Sequence, residues 1–253
     1  MAGQQDSLPG LGERSERLAL GIDTCGPMGS VALGRMSADG TGVAILGQTE
    51  LAGRSYSATL VSAMDGLLKE QGIRLNDVGV LVAVSGPGSF TGVRVGLSAA
   101  KGLAEATGIR IVAVSRLEVL AAKAGVDWAA IDAHRSEVFL RVGAAGEPAR
   151  ELLAGGSELA ELKSRPERVA VCDDAAQALL QAAWPGVELV RTGAATAADA
   201  LRLAVGRVKA GQFIDPLALD GHYLRRSDAE ISATLTIGEP GTFSEPAGVV
   251  RKV

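Results

Sequence analysis

The stretch LALGIDTCGPMGSVALG, Leu18 to Gly34, returns in outline as WAAIDAHRSEVFLRVG, Trp128 to Gly143. In both, an apolar run ends on an Ile-Asp pair (Ile22-Asp23, Ile131-Asp132), the chain turns, and a second apolar run follows. Two such runs joined by a short turn are the signature of a β-hairpin. Helical and strand segments come after each hairpin. The pattern therefore predicts two related α/β lobes that divide near Leu117 to Val126.

Working outward from the first hairpin, VAILGQTEL (Val43 to Leu51) reads as a further strand. From Ser57 the period changes: Leu60, Val61, Met64, Leu67 and Leu68 recur at three- and four-residue steps, and Gly72 stands where such a helix would end. A strand, Val78 to Val84, leads into SGPGSFTGVRVGLSAAKGLA, Ser85 to Ala104. Its Gly86, Gly88 and Gly92 permit close backbone approach, and Ser89 or Thr91 can cap a helix that runs to Thr107 and stops at Gly108. Arg110 to Ser115 reads as a buried strand. In the second half, Arg168 to Cys172 and Val187 to Val190 read as strands, and Asp174 to Trp184 and Thr196 to Lys209 as helices.

The expected organisation is a flexible extension over 1–17, a first lobe over 18–118, a second lobe over 119–226 whose last helix is free to pack back on the first, and a tail over 227–253. With 253 residues there is room for two small cores. A formal charge of −4 provides no basic field to hold a polyanion, so nucleic acid would be met through a partner. Cys25 and Cys172 form neither a C-x-x-C pair nor a disulfide framework, which predicts a reducing, cytoplasmic setting. The first residues lack the apolar core of a signal peptide, and no run approaches the ~20 apolar residues of a membrane span. A soluble protein is expected.

Ser85 to Ala104 follows a strand with a glycine loop and a helix start, the parts of an anion site. Its G-x-G-x-x-x-G spacing is one residue longer than the dinucleotide fingerprint, and the lysine of a P-loop is missing. Gly92, Gly96 and Ala100 lie four apart and leave one helix face nearly bare. Each interior glycine weakens a helix by roughly 0.8–1 kcal/mol relative to alanine, so this face needs tight packing to offset the cost. Spacing leaves two readings open, a contact buried within the chain, which it favours, and an intermolecular bundle with the Leu60 to Leu68 helix.

Asp23 and Thr24, just after a strand, can meet a metal-bound phosphate or simply shape a turn. Asp132 has the same two readings, and Ala133 in place of a second polar partner favours the structural one. His134 and His222, the only histidines, form no H-x-x-x-H or H-E-x-x-H pair, and no G-x-S-x-G elbow is present. A histidine-built metal site and a serine triad are therefore not expected. Arg225 and Arg226, with Arg202, Arg207 and Lys209, form a mild basic cluster, either a solvated face or a contact to tRNA within a larger assembly.

Ser85 to Ala104 closely resembles the signature of the TsaB (YeaZ) family, the dimerisation subunits of the bacterial tRNA threonylcarbamoyladenosine (t6A) machinery. LGIDT, DGLLKEQG, IDAHRSEVF and HYLRR agree in order, so the resemblance runs from about Leu18 to Arg226. It implies a duplicated, two-lobed α/β fold of the actin, sugar-kinase and Hsp70 (ASKHA) type. It also implies a subunit without chemistry of its own, paired with a TsaD-like catalytic subunit that carries the metal. That partner transfers threonylcarbamoyl from its adenylate to N6 of adenosine 37 in tRNAs reading ANN codons. A TsaE-like ATPase acts on the pair, and tRNA is met only through the complex.

By the same resemblance, pairing uses two first-lobe helices, here Leu60, Val61, Met64, Leu67 and Leu68 with Gly92, Val93, Gly96, Leu97 and Ala100. This tips the glycine face toward packing between subunits. Asp23 and Thr24 stand at the superfamily's first phosphate loop, with Gly86 and Gly88 bordering the nucleotide-side cleft, as a vestigial site. No cofactor is firmly bound on this reading, and ATP or ADP belongs at or near the subunit boundary. Tyr56-Ser57 replaces the His-Ser of many relatives, and His134 stands where arginine is common. The missing histidine fits a subunit without a catalytic metal.

The competing reading of the same fold is a stand-alone ATPase or phosphotransferase using Asp23, Thr24 and Mg²⁺. A peptidase reading lacks both a metal pair and a nucleophile motif. In the absence of a partner the helix face can pair with itself as a homodimer, since a C₂ contact uses one patch twice.

Overall fold

The computed structural model describes residues 17–53, 55–144 and 147–225. The extension before Arg17 and the tail expected over 227–253 lie outside the described residues. Strands β1 (Arg17–Asp23), β2 (Met28–Met36) and β3 (Val43–Ala52) form an antiparallel meander. Helix α1 (Tyr56–Glu70), β4 (Val78–Val84), α2 (Phe90–Thr107) and β5 (Arg110–Val114) complete the first sheet in the order β3-β2-β1-β4-β5, with β4 and β5 parallel to β1.

After α3 (Arg116–Ala124), the chain forms β6 (Trp128–Asp132), β7 (Glu137–Ala144), β8 (Glu147–Gly155), α4 (Gly156–Glu161), β9 (Arg168–Val171), α5 (Asp174–Ala183), β10 (Glu188–Arg191) and α6 (Ala197–Lys209). The second sheet reads β8-β7-β6-β9-β10, the same order and the same pattern of antiparallel and parallel pairs as the first. The two Ile-Asp pairs occupy equivalent strand ends.

The interior position of β4, between β1 and β5, explains its composition. VGVLVAV is apolar throughout because both faces of a parallel strand are covered. Successive side chains alternate between faces. On β1 the Gly21 backbone meets Ala197 of α6, while the neighbouring Ile22 points at Gly96 of α2. The first sheet is thus held between α1 and α2 on one side and α6 on the other.

Helix ends follow local chemistry. The Ser89 hydroxyl accepts the Gly92 N–H to open α2, and Gly108, at φ 70°, closes it. Thr196 and Asp199 form a reciprocal capping box at the start of α6. The divide read near Leu117 to Val126 falls on α3, which gives Val119 to the first core and Leu117, Leu120 and Ala121 to the cluster around Ile131 and Phe139. The remaining second-lobe core is built around Trp128, Leu140, Leu159 and Trp184, with the Trp184 indole donating to the Leu159 carbonyl at 2.8 Å.

Candidate functional site

The turn after β1 lies against the glycine loop of α2. Asp23 and Thr24 are each only 1% exposed. Asp23 Oδ1 accepts the Cys25 N–H at 2.9 Å. Burial pushes the Asp23 carboxyl up, opposed by the Arg116 charge and the Cys25 hydrogen bonds. Thr24 Oγ1 donates to the Gly92 carbonyl at 2.7 Å, and the Ser89 N–H donates to the Cys25 carbonyl at 2.8 Å. A Cβ at Gly88 would collide with the Cys25 carbonyl, one at Gly92 with the Thr24 carbonyl, and one at Gly96 with Thr24 Oγ1. Gly86, at φ 115°, accepts the Arg116 N–H and stands beside the His222 backbone. Tyr56 closes the turn from α1, donating to the Gly26 carbonyl at 2.7 Å. Burial, aided by the Asp23 charge, pushes its phenol up to about 12.

This geometry answers the question raised by the glycine spacing. The close approach at Gly92 and Gly96 is made within the chain, to the end of β1. Of the residues the resemblance assigns to pairing, only Val61 is exposed, at 67%; Leu60, Met64, Leu67, Leu68, Gly92, Val93, Gly96, Leu97 and Ala100 are buried. Periodicity finds the apolar face of a helix, and here the chain's own sheet covers that face. What α1 and α2 turn outward overlaps that set only at Leu60 and Val61. A groove of about 480 Å³ between them is lined by Ser57, Val61, Thr91, Val95, Ser98 and Ala99 among others. Gly102 continues the small-residue surface of α2 and has open space where a side chain would be.

A second hollow, of about 400 Å³, lies across α2 from the first, between Phe90, Arg94, Ser98 and Lys101 and the segment carrying Asp220, Tyr223 and Arg225. The Arg94 guanidinium stacks over the Phe90 ring, 3.7 Å from its centroid, and Tyr223 packs against Phe90 with centroids 4.9 Å apart. The segment also ties the halves together. The His222 N–H donates to the Ser85 carbonyl, while His222 Nε2 meets Glu151 Oε2 at 3.0 Å. Arg225 bonds the Ala133 carbonyl and Glu137. Sequence spacing singled out none of Arg94, Lys101, Tyr223 or Glu151 as site residues, because the partners that define them come from distant strands and helices.

Asp132 shapes its own turn, with Oδ1 accepting the His134 N–H at 2.8 Å and Oδ2 facing His134 Nδ1 at 2.9 Å. Among the described residues, no group of three or more His, Cys, Asp or Glu is placed to hold a metal ion. Members of the basic cluster are drawn into ion pairs: Arg202 with Asp199, Arg207 with Glu118, and Arg225 with Glu137. No helix among the described residues is long and apolar enough to cross a membrane.

A meander followed by two parallel strands is built twice with the same strand order, which makes this a duplicated α/β fold. Residues 45–150 match the family described as TsaD: tRNA N6-adenosine threonylcarbamoyltransferase. The chain is 38% identical over 96 residues to the tRNA threonylcarbamoyladenosine biosynthesis protein TsaB of Haemophilus influenzae, covering 36% of this chain and 41% of that protein. It is 36% identical over 129 residues to TsaB of Escherichia coli, covering 47% and 52%. The match thus spans about half the length of these curated relatives. A solved Pseudomonas aeruginosa protein, described as similar to the peptidase YeaZ, superimposes with a TM-score of 0.68 at 25% identity, covering 83% of this chain and 100% of that one. On these matches the chain is similar to proteins of the TsaB/YeaZ family.

Proposed function

We propose that the chain is a non-catalytic scaffold subunit in t6A biosynthesis, pairing with a TsaD-like catalytic subunit through the outward surface of α1 and α2. The observation that carries this reading is the packing of Thr24 against Gly92. Asp23 and Thr24, which the resemblance aligns with a phosphate loop, are 1% exposed, with their side chains in hydrogen bonds within the chain and the space around them closed. A stand-alone phosphotransferase would need that space open.

The pairing surface of this proposal is the groove bearing Val61, Val95 and Ala99, one helix face away from the glycines. A TsaE-like ATPase and tRNA would engage the pair rather than this chain alone, and ATP or ADP would sit at the subunit boundary. The same groove would support a homodimer when the partner is absent.

The experiment is light scattering after size exclusion on the chain mixed with the TsaD homologue of its own organism, and a threonylcarbamoyl-transfer assay on unmodified tRNA. The expected result is a defined heterocomplex, lost in Val61→Arg and Ala99→Arg, with modification requiring both subunits. Metal-dependent ATP turnover by the isolated chain, abolished by Asp23→Ala, would overturn the reading.

A further inference from the structure

The outward side of α2 carries two cations that the described residues leave uncompensated. Arg94 and Lys101 lie seven residues apart on one helix, about 10 Å along its axis, and line the hollow that adjoins the α1–α2 groove. Neither makes a hydrogen bond or ion pair among the described residues. This sets them apart from Arg202, Arg207 and Arg225, each of which has an acidic partner. The one acid among the described residues of the wall, Asp220, accepts the N–H of its own neighbour, Gly221, at 2.7 Å.

Arg94 is held in place without being neutralised. Its guanidinium rests on Phe90 at 3.7 Å and stands 5.9 Å from the Tyr223 ring. Stacking fixes the plane of the group and leaves its N–H fork free for a carboxylate. Phe90, Arg94 and Ser98 line both the groove and the hollow. An occupant of the apolar groove therefore passes over Arg94 on its way to Lys101.

We infer that the groove and the hollow form one docking surface for a partner-protein element that sets an apolar side against Val61, Val95 and Ala99 and carboxylates against Arg94 and Lys101. This inference rests on the pairing reading above and adds the chemistry of the partner. The chain's formal charge of −4 and the pairing of its other arginines favour an acidic protein element over a nucleic-acid backbone. An exposed pair at a rim acts mainly on association rate and salt dependence.

The test measures affinity for the purified TsaD homologue at low and high salt, for Lys101→Glu, Arg94→Glu and the double variant, with Val61→Arg alongside. Lys101→Glu touches no partner among the described residues, so it keeps the test valid if Arg94→Glu disturbs the stack on Phe90. The expected result is about tenfold weaker pairing in each charge reversal, a flatter salt dependence, and recovery when an acidic residue of the partner is changed to lysine. If Val61→Arg abolishes pairing while both reversals leave it unchanged, the acidic partner is wrong and the pairing surface stands. If none of the variants affects pairing, both fall. Unchanged pairing with weakened tRNA binding would reassign Arg94 and Lys101 to RNA and overturn the inference.

Discussion

Thr24 Oγ1 donates to the Gly92 carbonyl at 2.7 Å, joining the end of β1 to the first turn of α2. The contact requires a bare helix face. Gly92→Ala places a methyl group against the Thr24 carbonyl, a backbone atom that cannot step aside. The expected loss is about 1–3 kcal/mol, diminished by the better helix propensity of alanine. Gly102→Ala, in the same helix with nothing within 4 Å of its Cβ, should instead gain up to about 1 kcal/mol. Urea unfolding of the two variants checks the contrast, and equal effects would contradict the packing. Gly96→Leu is for the same reason a core substitution rather than a clean probe of pairing.

The His222–Glu151 pair should give stability a defined pH window. Burial pushes the Glu151 carboxyl up, but hydrogen bonds from His222 and Ser115 and the charges of His222 and Arg141 outweigh it and hold the group below 4.5. The hydrogen bond to Glu151 raises His222 above 6.5, against the effect of burial. A lowered acid contributes above its unfolded value and loses that contribution as pH falls. A raised base contributes fully below its unfolded value and loses that contribution as pH rises through the folded one. The pair is therefore strongest between about pH 4.5 and 6.5. With the His222 side chain 42% exposed, its worth is below about 1 kcal/mol. Thermal melts of His222→Gln should fall furthest below wild type near pH 5.5, with the gap narrowing as pH rises above 6.5; parallel curves would refute the assignment.

The duplication was legible because the alternation of apolar runs and the paired Ile-Asp ends depend on local order alone. The limits of α2 were legible for a similar reason, since Ser89 and Gly108 are chemical start and stop signals. α3 carries signals of the same kind, the Ser115 cap and Gly125 at φ 66°, yet its helix was hidden by lying where a lobe divide was read. The site was less legible. Glycine spacing identifies a face that something must approach closely, but whether that something is Thr24 or another subunit depends on tertiary packing that periodicity does not encode. Arg94 and Tyr223 become neighbours only when the segment after α6 returns across α2.

The β6–β7 turn places three consecutive residues other than glycine in the left-handed region, His134 at φ 61°, Arg135 at 56° and Ser136 at 59°. Each L-residue there carries roughly 1–2 kcal/mol of strain. Ser136→Gly should relieve part of it, and the added freedom of the unfolded chain reduces the gain to about 0.5–1 kcal/mol. A lower urea midpoint for this variant would mean that the serine side chain supports the turn more than its backbone strains it.

Tyr56 tests whether the closed turn matters for folding. Its hydroxyl donates to the Gly26 carbonyl at 2.7 Å, and its ring lies against Gly29, where an added Cβ would come within 2.8 Å. Tyr56→Phe keeps the ring and leaves the carbonyl without its partner, which should cost about 1–3 kcal/mol at neutral pH. At alkaline pH the difference should shrink. The unfolded phenol ionises near 10 and the folded one near 12, so wild-type stability falls as pH rises from 10 to 12 while the phenylalanine variant lacks that loss. Urea unfolding at pH 7 and pH 11 gives both numbers. A gap that is unchanged at pH 11 would mean that the phenol titrates as it does in the unfolded chain and that the turn is open to water.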